Sequence, residues 1–154
     1  MTLLANSGRT VSDVANSGLT VFVADSISSQ GERVAGYFST NNHMVLSRNP
    51  GFATFNATAV HELTHVLDNM DGILDGSMRN LTSNWSSLRN EASARIQANG
   101  GNFSGLDSGF VNYSQTNDQE FLAVMTQLYQ SDSADLQRNF PSIFNTLDSI
   151  FRVA

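Results

Sequence analysis

In the first fifty residues the apolar positions fall in short runs separated by Ser, Gly and Asn, whereas after Pro50 they recur at three- and four-residue steps. The first pattern predicts strands and turns, the second helices. Thr10 or Ser12 offers an N-cap for a short helix through Ala15, Gly18 stops it, and Leu19 to Ala24 reads as a buried strand. The Ser- and Gly-containing run from Asp25 to Gly31 is then a loop. Ala35 to Ser39 and His43 to Ser47 flank the turn residues Thr40, Asn41 and Asn42, the signature of a β-hairpin. Residues 5–11 are nearly repeated at 15–21, but two copies are too few for a repeat architecture.

Beyond Gly51, Thr54 or Asn56 can cap a helix in which Ala59, Val60, Leu63, Val66, Leu67 and Met70 share a face. Asp71 to Gly76 forms a Gly- and Asp-rich loop. A second helix from about Leu81 to Ala98 is closed by Gly100 and Gly101. A loop rich in Gly, Asn and Ser continues to about Thr116, and a third helix runs from Asn117 or Asp118 to about Ser131. One or two short helices then carry Leu136, Phe140, Ile143, Leu147, Ile150 and Phe151 to the end. Strands first and helices after predict an α+β domain with a small mixed or antiparallel sheet.

The chain of 154 residues fits one domain spanning 1–154, and a domain of that size buries roughly 70% of the surface its unfolded chain exposes. The net charge of -6 argues against nucleic acid, which needs concentrated Arg and Lys, and against an anionic membrane surface. No apolar stretch reaches the roughly 20 residues of a membrane span, and the N-terminus lacks the features of a cleavable signal. With no cysteine, a metal would have to be held by His, Asp or Glu. All eight basic residues are Arg. Compositional drift accounts for that; so does loss of the ubiquitin-accepting Lys in a toxin or effector, secreted or delivered into another cell. The expected form is a monomer.

The chemistry concentrates in His61-Glu62-Leu63-Thr64-His65, on the first long helix. Residues four apart stand one above the other on a helix, so His61 and His65 can offer two imidazole nitrogens to one tetrahedral ion. Glu62 is rotated off that face, where it can hold and deprotonate a water on the ion rather than ligate. A catalytic zinc needs a third protein ligand and an open position. His43, on the hairpin, reads as an exposed strand residue. Among the carboxylates, Glu91 and Glu120 stand out, both in downstream helices of a chain with only four Glu. Glu120 shares a face with Val124 and Leu128, where a carboxylate is costly unless paired or metal-bound. Glu91 has Arg95 at i+4, so an ordinary helix-surface ion pair accounts for it. Trp85, with Leu81 and Leu88, reads as core, as do Tyr37, Phe38 and Met44.

The stretch His61-Glu62-Leu63-Thr64-His65-Val66-Leu67-Asp68 resembles the zinc helix of the titration-factor-A-type peptidases. The segment from Val111 through Tyr113 and Glu120 to Val124 resembles their Tyr-to-Glu ligand segment, and Phe140-Pro141-Ser142-Ile143-Phe144 their C-terminal helix region. These proteins share a catalytic core with anthrax lethal factor and the Pro-Pro endopeptidases, all gluzincin-like. The similarity covers residues 57 to 151.

The resemblance implies a zincin-like fold, Glu120 as third zinc ligand, and Tyr113 as a neutral hydroxyl donor to the developing oxyanion. Without it Tyr113 reads as a loop aromatic packed on the core. Asp68 is either an acceptor orienting a zinc-bound His or a capping residue near the helix end. By analogy with zincins, Tyr37 to Phe38 or His43 to Leu46 supplies an edge along which an extended substrate lies. The chain departs from those proteins in lacking their longer N-terminal portion, and in Asp118-Gln119, where they tend to have Asp-Pro-Ala.

The expected activity is hydrolysis of a peptide or protein by one zinc-activated water, with Glu62 as base. A zinc hydrolase of a non-peptide bond and a zinc-binding regulatory or effector module with little turnover remain alternatives.

Overall fold

In a computed structural model, residues 11–29, 31–39, 41–49, 54–73 and 85–151 are described. The elements are α1 (Val11–Asn16), β1 (Thr20–Ala24), β2 (Ile27–Ser29), β3 (Glu32–Val34), β4 (Gly36–Ser39), β5 (His43–Ser47), α2 (Phe55–Asp71), α3 (Trp85–Ala98), α4 (Ser108–Tyr113), α5 (Asp118–Ser131), α6 (Ser133–Asn139) and α7 (Pro141–Phe151). The α+β expectation holds, with small sheets first and helices after. Thr10, the loop beyond Ile73 and Leu81 lie outside the described residues.

The three-stranded sheet has the order β1-β5-β4 and is mixed: β1 runs parallel to β5, while β4 pairs antiparallel with it as the expected hairpin. Asn42 turns that hairpin with φ 59, a left-handed conformation that Asn tolerates better than most residues. Two strand expectations need correction. The run from Asp25 to Gly31 is not all loop, because Ile27–Ser29 pairs antiparallel with Glu32–Val34. The strand at Leu19 to Ala24 exists but is not buried: Val21, Phe22 and Val23 are about half exposed. The reason is layering. Helix α2 packs across β4 and β5, and β1 lies beyond its reach at the sheet edge.

Helix α2 starts where the Thr54 side chain accepts the Ala57 N–H at 3.2 Å and stops at Gly72, whose φ of 64 suits a residue without a β-carbon. Its buried Thr58 and Thr64 return their hydroxyls to the carbonyls of Thr54 and Val60, which lets them sit in the interior without an orphaned polar group. The sheet side of α2 joins Val66 to Met44, Leu46 and Val14. The opposite side joins Leu67 to the main core of α3, α5, α6 and α7.

Helix α5 is the centre of that core. Residues 121 to 128 are all buried, and its first turn is fixed by Asn117, whose side chain accepts the Glu120 N–H at 2.8 Å. Helix α3 braces the same turn from outside. Arg89 pairs with Asp118 at 2.9 Å, and Ser86 donates to the other oxygen of Asp118 at 2.8 Å. Trp85 is core, as expected, packing edge-on against Phe121 and donating its indole N–H to the Ile73 carbonyl at 3.1 Å. Among the described residues no helix is long and apolar enough to cross a membrane.

Candidate metal centre

His61 and His65 lie one turn apart on α2, and the first turn of α5 carries Glu120 to them. The Nε2 atoms of the two imidazoles are 3.3 Å apart, Glu120 Oε2 is 3.0 Å from His61 Nε2, and Glu120 Oε1 is 3.7 Å from His65 Nε2. These three residues are the group among those described whose donor atoms converge closely enough to share one ion. Their spacing fits the ion expected of them. Ligand atoms about 2.0–2.1 Å from a tetrahedral zinc would stand about 3.3 Å from one another, and the observed separations bracket that value. Two imidazole nitrogens facing each other without an intervening cation also compete for protons, which a shared metal relieves.

Burial shapes the electrostatics. His65 is pushed down to about 4, first by desolvation and then by the neighbouring His61, so its imidazole is neutral at ordinary pH, the form that can bind a metal. Burial pushes Glu120 up, but the hydrogen bond and charge of His61, the charge of His65 and a hydrogen bond from Tyr113 outweigh it and hold the carboxyl below its usual range. Glu91 does not join the group. It pairs with Arg95 at 3.3 Å and accepts the Ser142 hydroxyl at 3.2 Å, as an ordinary surface carboxylate would. His43 is likewise elsewhere, exposed on β5 with its ring 5.9 Å from Phe22.

Glu62 is 5% exposed and sits beside these three residues without joining the group whose donor atoms converge. Desolvation raises its pKa to about 7, against the lowering effects of His61 and of a hydrogen bond from the Phe38 backbone N–H. That N–H is available because of the pleat. Ser47 donates to the Ala35 carbonyl, so the backbone groups of Ala35, Tyr37 and Ser39 turn toward β5 and those of Gly36 and Phe38 turn toward the centre. Strand β4 is thus a free edge facing the metal group. β5 is paired on both sides, so His43 to Leu46 cannot receive an added strand. Tyr37, expected in the core, is about half exposed on this edge.

The loop expected up to Thr116 contains a helix, α4, and this sets Tyr113. Asp107 caps it, accepting the Gly109 and Phe110 N–H groups at 2.8 and 3.2 Å, and the fully buried Val111 anchors it. Tyr113 therefore projects from a helix end rather than packing on the core. It is about half exposed, its ring centroid lies 6.1 Å from that of His61, and its hydroxyl donates to Glu120. Desolvation first, then the charge and hydrogen bond of Glu120, push the phenol up to about 12, so it keeps its proton at physiological pH.

Between β4 and α4 the cleft has two lobes that meet at Gly36, His61, Glu62 and Tyr113. One, of about 450 Å³, contains His65, Asp68, Phe38 and Glu120. The other, of about 460 Å³, is lined by Val34, Ala35, Thr58, Phe110 and Gln127. Asp68 thus borders the metal side of the cleft beside His65. Gly36 and Gln127 were not singled out by the sequence pattern. The sequence model of a family described as glucose-regulated metallo-peptidase M90 matches residues 20–152. No curated protein and no solved structure matches the chain.

Proposed function

The chain belongs to the glucose-regulated metallo-peptidase M90 family, and on that premise we propose that it hydrolyses peptide bonds with one zinc ion held by His61, His65 and Glu120. The observation that carries the reading is the convergence of these three donors from α2 and α5 beside the buried carboxyl of Glu62. Two imidazoles and one carboxylate, with no thiolate, suit zinc and leave a coordination position open. The likeness to titration-factor-A-type and lethal-factor-type peptidases, carried by His61 to Asp68 and by Tyr113 to Glu120, supports the gluzincin form of that site.

When bound, the ion lowers the pKa of water toward about 7 and polarises a scissile carbonyl. Glu62, with its own pKa raised to about 7 by burial, is matched to take a proton from that water and return it to the leaving amine. Tyr113 keeps a neutral hydroxyl at the mouth of the site, suited to donate to the oxyanion once Glu120 has turned to the metal. The outward-facing backbone groups of Gly36 and the carbonyl of Phe38 offer an extended peptide an edge to pair with, while the Phe38 N–H stays on Glu62. That free edge favours a polypeptide over a small non-peptide ester.

The test is hydrolysis of a mixed peptide library by zinc-loaded protein, read by mass spectrometry with and without chelator. Glu62→Gln should keep the metal and lose cleavage. Cleavage that survives in that variant would remove Glu62 from the chemistry, and a zinc-loaded parent that cuts nothing would leave a binding module.

A further inference from the structure

Gln127 lies on α5, seven residues after Glu120, and is 5% exposed. Among the described residues, the other hydrogen-bonding side chains without a full charge that line the 460 Å³ lobe are Thr58, His61 and Tyr113, and His61 turns its Nε2 to Glu120 and His65. Thr58 spends its hydroxyl on the Thr54 carbonyl, and the Tyr113 hydroxyl is committed to Glu120. The Gln127 backbone carbonyl accepts from Ser131, but its side-chain amide has no hydrogen-bond partner among the described residues. Nor is that amide sealed in the core, since Gln127 is not among the described residues with a fully enclosed side-chain atom that lacks a hydrogen bond. It opens into the lobe.

A buried amide with donor and acceptor both unused is unfavourable unless something else completes it. Three acidic or basic side chains line the lobe besides His61, and each is otherwise engaged: Asp107 caps α4, Arg33 donates to the Asn49 carbonyl at 2.9 Å, and Glu62, where the lobe meets the metal side, accepts the Phe38 N–H. Val34, Ala35 and Phe110 supply apolar wall. Such a lobe accepts the stem of a side chain and offers one neutral hydrogen-bonding point at its floor. A charged tip would be desolvated there, with the nearby charged side chains already engaged elsewhere.

The direction of β4 decides which substrate residue enters. The chain enters β4 at Gly36 from Val34 and Ala35, which line the Gln127 lobe, and runs toward Phe38 in the His65 lobe. A peptide pairing antiparallel to it has its amino-terminal part over Phe38 and its carboxyl-terminal part over Val34 and Ala35. The residue after the scissile bond therefore meets Gln127.

Resting on the peptidase reading above, we propose that Gln127 is a specificity-determining residue: it selects substrates whose residue on the carboxyl side of the scissile bond carries an uncharged amide or hydroxyl tip. The donor and acceptor of the Gln127 amide pair with both functions of a substrate amide. An aliphatic side chain of equal size fills the lobe but leaves Gln127 unpaired.

Two peptides that differ only in Gln or Met at that position test this, because the side chains are nearly equal in size and differ in hydrogen bonding. Zinc-loaded parent should cleave the Gln peptide with a kcat/KM at least about 5- to 10-fold above that for Met, the worth of the first of the two neutral hydrogen bonds. Gln127→Met should erase or invert that ratio, lowering kcat/KM for the Gln peptide and raising it for the Met peptide, which no longer leaves an amide unpaired. A purely structural role for Gln127 would slow both peptides alike. Gln127→Glu serves as a second variant and should shift preference toward Lys at the same position. A parent that cuts both peptides equally overturns the proposal and leaves the peptidase reading intact, as does a ratio unchanged in Gln127→Met. Discrimination that moves to the residue before the scissile bond overturns it too. If the zinc-loaded parent cuts neither peptide nor any library member, the peptidase reading falls and this proposal falls with it.

Discussion

Gly36 approaches Glu62 so closely that a β-carbon added to it would stand 3.1 Å from Glu62 Cγ, 2.8 Å from Thr58 Cγ2 and 3.0 Å from the Val45 carbonyl oxygen. The edge strand and the helix that carries His61 and His65 are in contact there because one residue has no side chain. Gly36→Ala should force β4 away from α2, with an overpacking penalty of about 1–3 kcal/mol. The Phe38 N–H would then leave the Glu62 carboxyl, and kcat/KM should drop about tenfold or more with metal content unchanged. Adding Thr58→Ser removes the nearest methyl and keeps the hydroxyl bond to Thr54, so the double variant should regain part of the loss. Activity and melting temperature of the three variants decide.

How much of this was visible beforehand depended on periodicity. Helix α2, the hairpin and the pairing of His61 with His65 follow from three- and four-residue spacing and a turn at Asn41 and Asn42, which are local signals. Glu120 was readable as a carboxylate on an apolar stripe. Helix α4 was not, because Gly105, Ser108 and Gly109 look like loop and its one signal is Asp107 as a cap, so Tyr113 needed the family resemblance. Gln127 lies in a run of eight buried residues that shows no stripe to interrupt. The exposure of β1 was hidden for another reason: Val21, Phe22 and Val23 are apolar, and only the layering shows that α2 does not reach them.

Glu120 and Glu91 were the rival third ligands, and their surroundings predict opposite outcomes. Glu120→Ala should weaken zinc binding by more than about 100-fold, above what loss of an outer partner brings. Glu91→Ala should leave zinc affinity unchanged and cost no more than about 0.5 kcal/mol, the scale of an i,i+4 pair. Competition with a chromogenic chelator measures both. Equal affinities in the two variants would remove Glu120 from the ligand set.

Tyr113 bonds Glu120 now, and it is proposed to turn to the oxyanion during turnover. Tyr113→Phe should retain the fold and the metal, since the ring stays beside His61 and the anchor of α4 is Val111. Loss of one oxyanion donor should lower kcat by about 10²- to 10³-fold, with a smaller change in KM. A kcat equal to the parent's would confine Tyr113 to packing.

The raised pKa of Glu62 makes a prediction for protein stripped of metal by chelator. The folded value, about 7, lies above the ordinary 4.5 because burial penalises the charged form. Below pH 4.5 the group is protonated in both folded and unfolded states and costs nothing. Between 4.5 and 7 the unfolded chain ionises while the folded one does not, so stability is lost as pH rises, and above 7 the loss levels off at roughly 3 kcal/mol. Glu62→Gln has no such loss. His65, lowered to about 4, acts in the opposite sense, losing stability as pH falls from 6.5 toward 4, but it is present in both proteins and cancels in the comparison. In urea titrations from pH 4.5 to 8, Glu62→Gln should therefore gain on the parent by a few kcal/mol, most of it before pH 7. A constant difference across that range would mean that Glu62 is already ionised in the fold at low pH, solvated by its hydrogen bond from Phe38.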